Sequence, residues 1–384
     1  MRYGSHPRTV LACAPGTSIG ERTSMGRFLA KTIDSLELLG CHVVILSAKE
    51  LADAQQSSRL LRLLRRLRVP WLGLYWLSAF KAWKSTGYPI MVPISQEWVL
   101  PFGFSKQIPI YHDLIQYFCP RNMKSAFYYR YFLPWASRQL GSIYCVTNAT
   151  GRLVRRICGN VIYRVCGVPI DKEFSSQADE SSTTQCFQAV WVGTLMAHKN
   201  HGRVLDFVER TVEGAGGVAM VVPAAEAPAL SSEIRARGLS SRITILFSLS
   251  DEVLSSIFRR SKTVLSTSAI EGFCMPVLEA ALCGCAPVIP DRATFRENFG
   301  RFGVLVPPHE RDYECYMLKA ASHFARPEVI ARARAFHDII SKRWSTSMSE
   351  IANAAALQGK GNIELGGHGS SWPAASRQPD NEDA

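Results

Sequence analysis

Glu271-Gly272-Phe273-Cys274-Met275-Pro276-Val277-Leu278-Glu279 sets two carboxylates eight positions apart, with a glycine, an aromatic residue and a proline between them. Just upstream, Thr263-Val264-Leu265-Ser266-Thr267 is the β-branched run expected of a strand buried in a parallel sheet. Pro276 suits the first turn of a helix, where its missing N–H costs nothing. Val277 to Leu282 continue that helix, and Gly284 is placed to stop it. Ala286-Pro287-Val288-Ile289 reads as the next strand. The unit is strand, loop, helix, strand, with Glu271 in the loop and Glu279 on the helix.

Loops at the C-terminal ends of parallel strands face the ligand crevice of an open α/β sheet. The N–H groups of Phe273, Cys274 and Met275 fall at a helix N-terminus, where the dipole favours an anion such as a diphosphate. A carboxylate in the loop can accept hydrogen bonds from sugar hydroxyls, and one on the helix can hold a ribose. Taken singly, the two glutamates would read as one solvated carboxylate and one helix cap.

The longer span from Ser268 to Ile289, with its Glu279-Ala280 pair, Cys283-Gly284 step and Pro287-Val288-Ile289 strand, resembles the donor-site signature of family 4 retaining glycosyltransferases of the GT-B fold. Val190-Trp191-Val192-Gly193-Thr194-Leu195-Met196-Ala197-His198-Lys199-Asn200 is similar to that family's first strand and loop of the C-terminal domain. Ile108-Pro109-Ile110-Tyr111-His112-Asp113-Leu114 resembles its His-Asp strand end in the N-terminal domain. The likeness runs from about residue 90 to about 345. It implies two doubly wound Rossmann-like α/β domains facing a cleft.

That organisation divides the chain into an acceptor-side domain over 1–170, a polar linker over 171–186 and a nucleotide-sugar-binding domain over 187–345. The end of a helix returning to the first domain follows over 346–358, and a disordered tail over 359–384. A length of 384 residues with 47% hydrophobic content suffices for two cores. The eleven cysteines show neither metal-ligand nor disulfide spacing, which suits reduced thiols in a cytosol. No stretch reaches the roughly 20 apolar residues of a membrane span.

The net charge is +12, and no acidic residue lies between Asp53 and Glu97. In that gap the run from Ser58 to Arg68 places five leucines on one side of a helix and five arginines on the other. Pro70 ends it, and Trp71-Leu72-Gly73-Leu74-Tyr75-Trp76-Leu77 follows. Basic amphipathic helices beside tryptophans suit an anionic membrane surface, and an ordinary helix with its leucines in the core is the alternative. No stacking motif, zinc knuckle or helix-turn-helix accompanies the basic residues, so nucleic acid is not expected. The expected place is the cytoplasm, peripherally on the inner face of the membrane.

Glycosyl transfer from a nucleotide sugar requires the leaving diphosphate to be neutralised. The chain has no Asp-X-Asp pair to carry a metal, so no metal and no cofactor are expected and the protein must supply the charge. The resemblance assigns that role to Lys199, with Gly193, Thr194, Gly272, Phe273, Cys274, Met275 and Glu279 as further donor-binding residues. Thr194 stands where the family often carries Arg, and Cys274 where many relatives have Gly. His112 and Glu271 are the implied catalytic pair at the transferred sugar. Gly16 and Gly20 form a loop that could approach the acceptor and the phosphates. The resemblance implies a retaining hexosyltransferase acting on a lipid-linked or glycan acceptor in polysaccharide biosynthesis, with mannose from GDP-mannose favoured. A non-catalytic GT-B scaffold and a nucleotide-sugar epimerase are the alternatives.

Overall fold

The computed structural model describes residues 8–14, 24–47, 71–175, 186–210, 217–308, 310 and 313–359. Gly16, Gly20, the arginine–leucine segment 59–68 and residues 360–384 lie outside the described residues.

The first half opens with β1 (Thr9–Ala14), α1 (Ser24–Leu38) and β2 (His42–Ser47). Val10 to Ala14 are fully buried, as a central parallel strand requires. A helix not foreseen from the sequence, α2 (Trp71–Ser85), follows; it buries Tyr75, Ala79 and Trp83 at four-residue steps. The aromatic run after Pro70 is therefore partly core, with Leu77 and Phe80 left exposed. Next come β3 (Ile90–Pro93), β4 (Ile110–Tyr111), and α3, a continuous helix over 123–139 with a π-helical turn at Tyr128–Phe132. The half closes with β5 (Ile143–Cys145), α4 (Asn148–Cys158) and β6 (Tyr163–Val165).

All strand pairs here are parallel, in the orders β2-β1-β3 and β4-β5-β6. Among the described residues a single bridge, between Met91 and Gln107, joins the two sets, with Ile108 N donating to Met91 O at 2.9 Å.

The second half is one six-stranded parallel sheet in the order β12-β11-β10-β7-β8-β9. Its strands are β7 (Phe187–Val192), β8 (Val218–Val221), β9 (Ile243–Leu246), β10 (Ser261–Leu265), β11 (Ala286–Pro290) and β12 (Val304–Val306). The crossovers are α5 (Gly202–Arg210), α6 (Ala227–Ala236), α7 (Asp251–Arg259), α8 (Met275–Leu282) and α9 (Ala293–Phe299). The order reverses between β10 and β7, and a doubly wound sheet binds its ligand outside the strand ends at such a switch point. The strand expected over 263–267 lies two residues earlier, because Ser266 to Thr267 already bend into the loop.

After α10 (Glu314–His323), α11 (Arg326–Gly359) runs unbroken for 34 residues. It packs on α8 and then reaches α1, where Trp344 Nε1 donates to Ser35 Oγ at 3.1 Å and the Trp344 ring meets Phe28 edge-on. Glu350 accepts from Arg164 at 2.6 Å and from the Tyr144 hydroxyl. The return helix thus ties the last third of the chain to the first sheet.

Candidate functional site

The loop after β7 and the loop after β10 flank the switch point, and hydrogen bonds bind each to the other. Thr267 Oγ1 donates to Lys199 O at 2.7 Å and accepts from Trp191 Nε1 at 3.1 Å. Ala269 N donates to His198 O at 2.7 Å. This frame brings the Lys199 ammonium against the Glu271 carboxylate as an ion pair. Burial is the largest single influence on the Lys199 pKa and pulls it down, but the Glu271 charge and hydrogen bond, with Cys274 and Asp113 adding to them, together outweigh it and the net shift is upward. The lysine is therefore a fixed cation. Thr194 Oγ1, in the same loop, is buried with no hydrogen-bond partner among the described residues.

The loop and helix at 266–282 form much as the sequence indicates. Met275 and Pro276 open α8, no side chain caps its first N–H groups, and Gly284 stops it at φ +93°. Cys274 is the N-cap and sits at φ +71°, in the left-handed region. That accounts for the glycine usual at this position in the family it resembles: an L residue is strained there. Phe273 is buried against Phe299 and Phe336.

Gly272 is small for a different reason. A Cβ at this position would lie 1.8 Å from the His112 carbonyl oxygen, so only glycine lets the two halves meet here. Gly272 O accepts from Thr147 Oγ1 at 3.0 Å, and Glu271 O from Thr294 Oγ1 at 2.9 Å. Gly193 is likewise crowded: its Cβ would meet the Trp191 ring at 2.8 Å.

This contact sets His112, at the end of β4, beside the Glu271 loop. Its backbone N donates to Gln96 Oε1 at 3.0 Å, and its ring packs edge-on against Phe28 at 4.3 Å. Burial pushes the imidazole pKa down to about 4, so the ring is neutral near pH 7. Nε2 lies 2.8 Å from the Ile94 carbonyl, which can only accept. The proton therefore sits on Nε2, and Nδ1 is an acceptor. Asp113 is pushed up to about 6, chiefly by burial, and its Oδ1 accepts from Ile115 N at 2.9 Å, holding the turn.

Glu279 is fully buried. Arg27 of α1 reaches across from the other half and places Nη2 3.0 Å from Glu279 Oε1. Nη1 of the same guanidinium lies 3.3 Å from Asp171 and 3.6 Å from Asp251. The two charges are in ion-pair contact, while among the described residues no N–H is well aligned on either Glu279 oxygen. Burial raises its pKa to about 7, with Arg27 pulling it back. Arg27 carries no sequence signal, since its carboxylate partners lie more than 140 residues away.

The structure thus joins Lys199, Glu271, Gly272 and His112 at one place, with Glu279 behind them under Arg27. Among the described residues Thr194 Oγ1 is an orphaned buried polar atom of the kind a ligand's phosphate oxygen would satisfy, and the Glu279 carboxylate, held by the Arg27 charge, could accept from a ligand's hydroxyls. A separate cavity of about 650 Å³, lined in part by Thr147, Phe302 and Phe336, lies beside this site; Lys199, Glu271 and Glu279 do not line it. Among the described residues no group of three or more His, Cys, Asp or Glu is placed to hold a metal ion.

Residues 173–317, which hold all the donor-side residues just described, match the family model described as Glycosyl transferases group 1. A search of curated proteins returned no match. Among solved structures, sucrose-phosphate synthase from Thermosynechococcus elongatus superposes with a TM-score of 0.63. The superposition covers 91% of this chain and 97% of the synthase at 14% identity. HepE from Anabaena in complex with UDP and glucose gives 0.62, covering 91% of this chain and all of HepE at 16% identity. The apo structure of OtsA gives 0.63, covering 91% and 99% at 15% identity. At such identities the likeness shows the fold, and the fold is GT-B. The domain match and the shared fold support a glycosyltransferase. No described helix is long and apolar enough to cross a membrane.

Proposed function

We propose that the chain is a retaining, metal-independent hexosyltransferase that transfers sugar from a nucleoside diphosphate donor to a lipid-linked or polysaccharide acceptor. The observation that carries this reading is the Lys199–Glu271 pair fixed at the switch point of a sheet whose sequence matches glycosyl transferases group 1. Lys199 and the uncapped N–H groups of α8 meet the diphosphate. Glu279 holds the ribose once Arg27 yields it. Glu271 and the neutral His112 face the sugar, and the Nδ1 acceptor of His112 suits a sugar hydroxyl.

Mannose is the sugar favoured by the resemblance, with GDP-mannose as donor. HepE in complex with UDP-glucose makes UDP-glucose the other donor to test. An acceptor carried on lipid fits a basic chain working at an anionic surface, on the inner face of a cytoplasmic membrane. Retention makes the product keep the donor's anomeric configuration, and metal independence makes turnover survive EDTA.

The deciding experiment incubates the purified chain with GDP-mannose and UDP-glucose, with and without EDTA, and follows nucleoside diphosphate release. Glu271→Ala and His112→Ala should lower turnover far more than nucleoside diphosphate affinity. Release that strictly requires Mn²⁺ would overturn metal independence. Binding without release for every donor would leave a scaffold in place of an enzyme.

A further inference from the structure

Residues 1–170 hold 22 Lys and Arg against 7 Asp and Glu, a net of +15, whereas the rest of the chain is slightly acidic. From Leu114 to Ile170 there is no acidic residue at all. α3 lies in this stretch. Its outward face carries Met123, Phe127, Tyr131 and Trp135, which are 86%, 65%, 65% and 44% exposed. These four large side chains recur every fourth residue. A four-residue step overshoots the 3.6-residue turn of an α-helix, and the π turn at Tyr128–Phe132, with its i→i+5 bonds, absorbs part of the excess. The row therefore stays closer to one face.

The row is not isolated. The Trp135 ring lies 5.5 Å from Phe104 and 5.7 Å from Phe132, and Phe132 lies 5.1 Å from Trp76 of α2. Exposed Phe80 of α2 meets Phe102, two residues from Phe104. Arg121, Lys124, Arg130 and Arg138 are exposed along the same helix and its lead-in. A contiguous exposed apolar patch on a chain's surface marks an interaction site. Aromatic rings mixed with cations, on a helix that carries no carboxylate of its own, match the headgroup layer of an anionic bilayer.

The opposite face of the helix points to the site. Tyr128 OH donates to Gln96 O at 2.8 Å, Tyr129 OH donates to Glu97, and Gln96 Oε1 holds the His112 backbone N. The His198 pKa is lowered chiefly by burial and by Lys199, and Arg121, at the start of this segment, adds to the same shift.

We propose that the Met123–Phe127–Tyr131–Trp135 face of α3, with its flanking cations, is the surface by which the chain docks on an anionic phospholipid bilayer. It deepens, and for its purpose rests on, the reading of a membrane-borne acceptor. Docking here brings the bilayer to the outer side of the helix whose inner side supports His112. The cleft then opens at headgroup level.

The test is flotation of the full chain with vesicles of phosphatidylcholine alone or mixed with phosphatidylglycerol. Wild type should float with the anionic vesicles, and less so as salt rises. The triple variant Met123→Ser/Phe127→Ser/Tyr131→Ser should lower recovery by about tenfold or more, with its melting temperature and UDP or GDP binding unchanged. Lys124→Glu/Arg130→Glu touches only exposed positions, so it tests the same surface if the triple variant misfolds; it should lose recovery as well. Wild-type recovery by the charge variant would overturn the proposal. So would equal flotation with neutral vesicles, or loss only on changing Arg62, Arg65 and Arg66. A dimer in sedimentation that the triple variant abolishes would mean that a second copy covers the face. Vesicle binding without any nucleoside diphosphate binding would instead sink the glycosyltransferase reading and spare this one.

Discussion

The two halves of the chain solve the same folding problem differently. The second half forms one six-stranded parallel sheet, matches a family model over 173–317, and keeps its donor-side residues within two loops and one helix. The first half splits its described strands into two sets joined by one bridge and carries the whole positive excess of the chain. The proposed donor side is compact in sequence because one strand–loop–helix unit supplies a helix N-terminus and two carboxylates, and the loop after β7 adds the cation Lys199. The groups facing it, His112 and Arg27, come from separate elements of the first half. The comparison predicts that the halves can be uncoupled, and one glycine is the place to try.

Gly272→Ala should have the largest effect. The added Cβ meets backbone, the His112 carbonyl at 1.8 Å, so no side-chain rotation relieves it. The halves must move apart at the sugar end of the site. A displacement of about 1 Å in such a site costs on the order of 100-fold in turnover. Nucleoside diphosphate binding, which the proposed function assigns to the second half, should change little. Calorimetry and turnover on the same preparation check this. Equal loss of both would mean that the donor site is shared and the two-half picture is wrong.

Lys199→Ala tests the second half alone. It should weaken nucleoside diphosphate binding by roughly 1.5–3 kcal/mol, the range for hydrogen bonds to charged groups. It also leaves the nearly buried Glu271 carboxylate without its partner, so the melting temperature should fall. Lys199→Ala/Glu271→Ala should regain part of that stability but none of the affinity. Affinity unchanged in the single variant would remove Lys199 from the diphosphate.

Legibility followed the same division. The strand, the glutamate loop, α8 and the Gly284 stop were readable because turn residues, apolar run and helix signals all fall within about 25 consecutive positions. The Lys199 loop was readable as a motif, yet its ion pair with Glu271 joins residues 72 apart in sequence. Contacts between the halves left no trace. Gly272 looks like a turn glycine, and only the fold shows that a carbonyl from β4 crowds it. α2 was missed because Gly73 and a dense aromatic run mask the Tyr75, Ala79, Trp83 spacing. The four-residue row from Met123 to Trp135 depends on a π turn that no periodicity rule anticipates.

Glu279 gives a pH test of the Arg27 contact between halves. Its carboxyl is raised from about 4.5 to about 7, so folding favours the protonated form. The stability this group contributes is fully present below about pH 4.5 and is lost as pH rises through about 7. Asp113, raised to about 6, slopes the same way, while His112, lowered to about 4, slopes the other way as pH falls below its usual range. The readout is therefore a difference. Between about pH 5 and pH 8 the melting temperature of wild type should fall more than that of Glu279→Gln, which cannot ionise. Parallel curves would mean that Arg27 compensates Glu279 fully.

The smallest effect isolates one backbone angle in the second half. Cys274 caps α8 at φ +71° with no side-chain bond to the helix N–H groups. A β carbon in that region costs roughly 1–2 kcal/mol, which glycine avoids. Replacing Cys274 also removes a partly buried sulfur, so comparison with wild type mixes strain relief with lost packing. Comparing Cys274→Gly with Cys274→Ala removes that ambiguity, because both lose the sulfur and only alanine keeps the β carbon. Glycine pays more backbone entropy on folding, by roughly 0.5–1 kcal/mol, which trims the difference. The glycine variant should still be the more stable by about 0.5–1 kcal/mol in denaturant unfolding. Its nucleoside diphosphate affinity should be at least that of wild type, since an unstrained cap presents the same N–H groups. An alanine variant as stable as the glycine one would show that the loop moves Cys274 out of the left-handed region, and that the geometry at this helix N-terminus is set by something other than the cap.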